Sequence, residues 1–264
     1  MLVKRKDILE DENNLRILIS NDDGVRAQGL SALVHALYRQ HEVVVSAPMY
    51  QQSGMAHALT VGTPMEVAHD ADLEKRYHIT ALSVDGTPTD SVKLYLEALA
   101  GEFQPELVVS GINHGANLAT DILYSGTVGA AMEGYLHGIP AFALSLDADS
   151  ELTYTDVAEI FARDLNQWLD HRETPFFYNV NFPKRLKDGR PQYVFGRQGK
   201  RDYVNAFQRE EQDGHVFYTM AGEIYDSDKG SATDIYATDQ GYISITPLIT
   251  DMTDYMALQD RLEK

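Results

Sequence analysis

The chain has 264 residues, 44% of them hydrophobic and 23% charged, with 19 Gly and 9 Pro; this ordinary globular composition excludes collagen-like, low-complexity and wholly disordered chains. Its 22 Lys and Arg stand against 40 Asp and Glu, a net charge of −18, and a surface that negative repels nucleic-acid backbone and anionic lipid. There is no cysteine, which removes disulfides, thiolate zinc sites and a cysteine nucleophile and fits a reducing compartment such as the cytoplasm.

Residues 1–14, MLVKRKDILEDENN, form a charged tail without the apolar run of a signal peptide. Beyond it, short apolar runs alternate with helical patterns. The runs predict strands at 15–20, 42–47, 78–84, 106–110, 141–146 and 176–181, with helices near 28–39, 89–100, 127–138 and 153–171. The strands are apolar nearly throughout, as strands covered on both faces are. No run approaches the ~20 residues of a membrane span. The expected fold is α/β: a Rossmann-like, doubly wound, mainly parallel sheet over 15–183. From 184 the pattern changes. Strands are predicted at 193–208 and 215–220, joined by an Asp213-Gly214 turn, then at 242–246, followed by a polar helix-like tail over 251–263. Residues 184–264 lack long apolar runs and read as a C-terminal hairpin and tail extension.

Ligands of such sheets bind beyond the carboxyl ends of the strands. After the first strand stands Asn21-Asp22-Asp23-Gly24. Adjacent carboxylates repel unless a cation lies between them, and oxygen ligands suit Mg²⁺, Mn²⁺ or Ca²⁺; on spacing alone, a polar turn capping the next helix is the simpler reading of these residues. After the second strand, Ser53 offers a hydroxyl. After the third, Thr89 or Asp90 in Asp85-Gly86-Thr87-Pro88-Thr89-Asp90 is placed to cap a helix. After the fourth lies the richest loop, Ser110-Gly111-Ile112-Asn113-His114-Gly115-Ala116-Asn117, leading to Tyr124-Ser125-Gly126-Thr127. Asn113 and Asn117 offer amide oxygens to a metal or hydrogen bonds to a ligand. The helix starting at Ser125-Gly126-Thr127 presents unpaired N–H groups to a phosphate, and His114 is a candidate phosphate contact or acid. GxSxG and P-loop sequences are absent, so serine-hydrolase and P-loop readings lose their usual support.

Residues 184–209 carry eight Lys and Arg against Asp188 and Asp202, leaving −24 on the rest of the chain. Two readings follow: a solvated hairpin whose charges pair with acidic neighbours, or a basic arm drawing anionic substrate inward. The second predicts that charge reversal of Arg197, Lys200 and Arg201 raises KM at low salt.

Four stretches together resemble the SurE family of survival protein E phosphatases: ILISNDDGV (17–25), GTPTDSV (86–92), VVSGINHGANLATDILYSGTVGAAMEG (108–134) and ATDIYATDQGYISITPL (232–248). The resemblance implies a divalent-metal-dependent phosphomonoesterase acting on nucleoside 5′- and 3′-monophosphates, with Asp22, Asp23, Ser53 and Asn113 holding one Mg²⁺ or Mn²⁺ per subunit. It places Ser125 and Asn117 around the active site and implies a swapped C-terminal arm forming a homodimer or homotetramer. Asp22 or Asp23 is the candidate base, with Ser125 beside them, while Gly126 and Thr127 stabilise phosphate oxygens. Alternatives are an exopolyphosphatase acting on short polyphosphate, or a non-catalytic, metal-dependent nucleotide-binding regulator. One departure stands out. Some relatives carry a histidine shortly after ITPL, where this chain has Tyr255, and no histidine follows His215.

Overall fold

The computed structural model describes residues 14–169 and 175–263. The charged tail lies outside them except for Asn14, as does the far end of the helix expected over 153–171. In chain order the strands and helices are β1 (Arg16–Ser20), α1 (Gln28–Leu37), β2 (Glu42–Pro48), β3 (Val67–His69), α2 (Ala71–Tyr77), β4 (Thr80–Val84), α3 (Pro88–Leu94), β5 (Leu107–His114), α4 (Gly126–Leu136), β6 (Ala141–Leu146), α5 (Tyr154–Leu169) and β7 (Phe177–Phe182). There follow β8 (Tyr193–Phe195), β9 (Lys200–Val204), β10 (Phe207–Gln212), β11 (His215–Met220), β12 (Glu223–Asp228), α6 (Asp234–Asp239), β13 (Ile243–Pro247) and α7 (Tyr255–Leu262).

Six strands, β4-β2-β1-β5-β6-β7, form a parallel sheet, edged by antiparallel β3 on one side and by β13 and β8 on the other. The fold is therefore the expected doubly wound α/β sheet. The chain builds outward from β1 through β2 to β4, then returns to β1's other flank with β5, so the topological switch falls between β1 and β5.

Alternation along β1 divides the core. Ile17 and Ile19 join the cluster under α1 and α5, while Leu18 joins Val44, Val108 and Val128 under α3 and α4. In α1, Leu30, Leu33, Val34 and Leu37 recur at helical spacing and all are fully buried. Each such burial is worth about 1.5–3 kcal/mol, which is why α1 forms without a side-chain N-cap.

Several expectations are corrected. The single strand over 193–208 is three pieces: Gly196 and Arg197 donate their N–H groups to Ile245 and Ala232, which ends β8, and Asn205 turns left-handed (φ 51°) between β9 and β10. β3, α2 and β12 were not anticipated; α2 starts where Asp70 accepts the Leu73 N–H and buries only Leu73 and Tyr77, too little for a periodic signal. The cap of α3 is Thr87, not Thr89 or Asp90 alone: its hydroxyl accepts the Asp90 N–H while Asp90 accepts the Thr87 N–H. The 213–214 turn closes the β10–β11 hairpin, with both residues at positive φ.

Candidate active site

The carboxyl ends of β1 and β5 converge at the switch point. Asp22 follows β1 and is only 5% exposed. Its Oδ1 accepts the Thr127 hydroxyl at 2.5 Å, and the Thr127 backbone N–H adds to this at the start of α4. Burial pushes the Asp22 carboxyl up to about 6; the Thr127 contacts oppose that rise, and neighbouring Asp23 reinforces it. Asp23 is tied on both oxygens: Oδ1 accepts the Gln51 amide at 3.2 Å and Oδ2 the His114 N–H at 3.1 Å. The Gln51 amide also donates to Ser53 Oγ at 3.0 Å, which joins the second-strand loop to the aspartate pair.

Gly126 makes the close approach of α4 to β1 possible. A Cβ there would meet Asp22 Cβ at 2.9 Å and Pro88 Cγ at 3.0 Å. Ser125 caps α4, its hydroxyl accepting the Val128 N–H at 3.1 Å. Asn113 turns its amide nitrogen to the Gly115 carbonyl at 2.7 Å. The His114 residue is exposed and touches Asp23 through its backbone. Asn117 points elsewhere: its buried amide donates to Ser145 at 2.8 Å, and its backbone is held by Asn179 and Asn181 of β7. Structure thus gathers Asp22, Asp23, Ser53, His114, Gly126 and Thr127 around one edge, and sets Asn117 and Ser125 behind it as supports for the loop and helix.

The donor set fits a hard divalent cation. Among the described residues neither aspartate forms an ion pair with Lys or Arg, so two carboxylates adjacent in the chain, one of them buried, stand without a protein counter-charge. The oxygens of Asp22, Asp23 and Ser53, with the amide oxygen of Asn113, match what Mg²⁺ or Mn²⁺ prefers.

A family model described as Survival protein SurE matches residues 17–205. The chain belongs to the SurE family. It is 40% identical to the 5′-nucleotidase SurE of Pelotomaculum thermopropionicum over 95% of each chain, and 43% identical to that of Thermosynechococcus vestitus, covering 94% of this chain and 96% of the relative. The crystal structure of the SurE protein from Aquifex aeolicus aligns with a TM-score of 0.77 at 35% identity, over 94% of this chain and 99% of that one.

Within this SurE-family chain the basic stretch 184–209 is largely charge-paired within the chain. Six of its eight cations pair with carboxylates: Lys184 with Asp149, Arg185 with Glu151, Arg197 with Asp228, Lys200 with Asp202, Arg201 with Asp121 and Asp226, and Arg209 with Glu211. That is the solvated, paired arrangement of the two read from the sequence. A second acidic group, Glu97, Glu133 and His137, lies on α4 and the helical turn after α3. The Lys93 ammonium already sits within it, 2.6 Å from Glu97 and 3.1 Å from Glu133. His57 Nε2 reaches Glu133 at 2.8 Å, so the group anchors the Ser53 loop to α4.

Gln51 was missed in the sequence. It stands two residues before Ser53 in a polar loop, and no periodicity marks which of the two loop glutamines reaches Asp23.

Proposed function

We propose that this chain is a divalent-metal-dependent phosphomonoesterase that hydrolyses nucleoside monophosphates to nucleoside and phosphate. The observation that carries the reading is the Asp22–Asp23 pair at the switch point, with the α4 N-terminus hydrogen-bonded to Asp22. The names of the relatives, 5′-nucleotidase SurE at about 40% identity over nearly the whole chain, support the substrate class.

Asp22, Asp23, Ser53 and Asn113 would hold one Mg²⁺ or Mn²⁺ per subunit; when bound, the cation neutralises phosphate charge and lowers the pKa of a coordinated water. Thr127 fixes Asp22, while Gln51 and the His114 N–H fix Asp23, so both carboxylates are preorganised. Either is placed to take a proton from the attacking water. The first amide of α4, at Gly126, lies at the positive end of the helix dipole, where phosphate oxygens are stabilised, while Thr127 beside it turns its own N–H and hydroxyl to Asp22. The exposed His114 side chain borders the phosphate. Ser125 holds the helix start as its cap, and Asn117 holds the loop that leads there.

We assign residues 184–264 to self-association as a homodimer or homotetramer, because every residue of the β10–β11 hairpin is exposed, Phe207, Phe217 and Met220 among them. An isolated two-stranded hairpin is marginally stable in water. With no cysteine in the chain, we place it in the cytoplasm.

The test is phosphate release from AMP, GMP and 3′-AMP with Mn²⁺ or EDTA, alongside Asp23→Asn. Release that needs metal and is lost in the variant is expected. Metal-independent release, or full activity in Asp23→Asn, refutes the assignment.

A further inference from the structure

The 116–125 loop carries the chain from β5 to the cradle at Gly126 through one short 3-10 turn, Ala119–Leu123, and it is braced from outside. At its midpoint Ala119 is fully buried and left-handed, with φ of 54°, a conformation alanine keeps only where its surroundings hold it. The holding groups come from the C-terminal extension. Asp234 Oδ2 accepts the Ala119 N–H at 2.8 Å, and the Gln198 amide donates to the Ala119 carbonyl at 2.8 Å. Asp234 is itself fully buried, and its other oxygen accepts the Gly199 and Ile235 N–H groups at 2.9 and 2.8 Å.

Two residues further on, Asp121 accepts Arg201 Nη1 at 3.0 Å on Oδ2 and the Tyr203 hydroxyl at 2.8 Å on Oδ1. The Arg201 side chain is 11% exposed. Its Nε donates to Asp226 at 2.7 Å, and its backbone carbonyl accepts the Thr120 hydroxyl. Burial opposes the charge on this guanidinium, but the two carboxylates hold its pKa above the ordinary value. Leu118 and Ala119 pack on Ile235 beneath. Ser125, the cap of α4, follows Asp121 by four residues.

We propose that Gln198, Arg201 and Asp234 are positioning residues of the phosphoryl site, through which the C-terminal extension sets where the α4 N-terminus presents its amides. The inference rests on the phosphomonoesterase reading. Its physical basis is that the core holds the loop at Asn117, Ile122 and Tyr124, while Ala119, Thr120 and Asp121 between those points are hydrogen-bonded to the extension, so the extension shapes that stretch of the approach to the helix cap. The apolar clusters of the sheet share no residue with this contact, so loosening it leaves the sheet intact.

The experiment uses the full chain carrying Gln198→Ala, Arg201→Gln or Arg201→Lys, with Arg209→Ala in the exposed hairpin as control. The readouts are kcat and KM for AMP, binding of inorganic phosphate, and Mn²⁺ binding by calorimetry. Displacing a cradle by about an ångström costs up to ~100-fold in rate. Gln198→Ala and Arg201→Gln are therefore expected to lose about 10–100-fold in kcat/KM and to bind phosphate more weakly, with Mn²⁺ affinity kept. Arg201→Lys is expected to recover part of the loss, and Arg209→Ala to behave as the parent.

Parent-like turnover and phosphate binding in both loss variants overturns the proposal, even if they melt earlier. Should Arg201→Gln fail to fold, Gln198→Ala decides alone, since it leaves no buried charge unpaired. A parent chain that binds phosphate without releasing it from AMP refutes the phosphatase reading; phosphate binding in Gln198→Ala then still decides the positioning role. A parent that does neither overturns both.

Discussion

At Gly126 one methyl group would stand 2.9 Å from Asp22 Cβ and 3.0 Å from Pro88 Cγ, so Gly126→Ala must push the α4 N-terminus away from the aspartate pair. Overpacking of this kind costs about 1–3 kcal/mol of stability, and the displaced amides are expected to cost up to ~100-fold in kcat/KM; thermal melts and AMP kinetics check the two separately. Thr127→Val tests the neighbouring contact. It preserves shape but takes the hydroxyl from a buried carboxylate, an expected loss of about 1–3 kcal/mol, whereas Thr127→Ser retains the donor. Equal stability in the two variants would show that the 2.5 Å contact contributes nothing.

The Ser53 loop is an element with almost no secondary structure of its own, and its position is set from outside. Ala56 donates its N–H to Tyr124 at 2.9 Å, Thr60 is bonded twice to Asp90, and His57 reaches Glu133. Glu133 is 2% exposed. Burial raises its carboxyl, but the contacts from His57 and Lys93 outweigh that and hold it below its ordinary value of 4.5. A depressed folded-state value means the unfolded chain takes up the proton first as pH falls. The stability this group confers is therefore complete above 4.5 and lost as pH drops through the lower folded-state value. Urea titrations from neutral pH downward are expected to show a steeper acid decline for the parent than for Glu133→Gln, which cannot titrate; parallel declines would count against the pairing. In α1, Leu33→Ala opens a cavity in the fully buried stripe, with an expected cost of about 2–5 kcal/mol.

At the scale of the molecule, a chain of −18 pairs cations with carboxylates both on the core, as at Arg26–Asp70 and Lys93–Glu133, and on the extension, but sets no Lys or Arg against Asp22 or Asp23 among the described residues. The same extension displays apolar side chains on a hairpin exposed on both faces, an unusual surface for a monomer. Phe207→Asp with Phe217→Asp is expected to reduce particle mass in light scattering while leaving the main melting transition unchanged, since neither residue belongs to a core cluster. An unchanged mass would remove the hairpin from the contact.

The α/β class, the six parallel strands and the edge that gathers the aspartates were legible in the chain, because strands covered on both faces must be apolar throughout and ligands of such sheets collect where strands end. The Asn-Asp-Asp-Gly and Ser-Gly-Thr segments were legible for the same reason: each is a local run beside a strand or helix terminus. Contacts between distant segments were not. Nothing in the spacing of Gln51, Gln198, Arg201 or Asp234 distinguishes them from the other polar residues around them. The pairing of Arg201 with Asp121, 80 positions away, exists only once the extension has folded against the 116–125 loop. Local pattern records what a residue does for its own strand or helix; which partner a buried charge finds is decided by packing, because the energy that holds it there comes from groups remote in the chain.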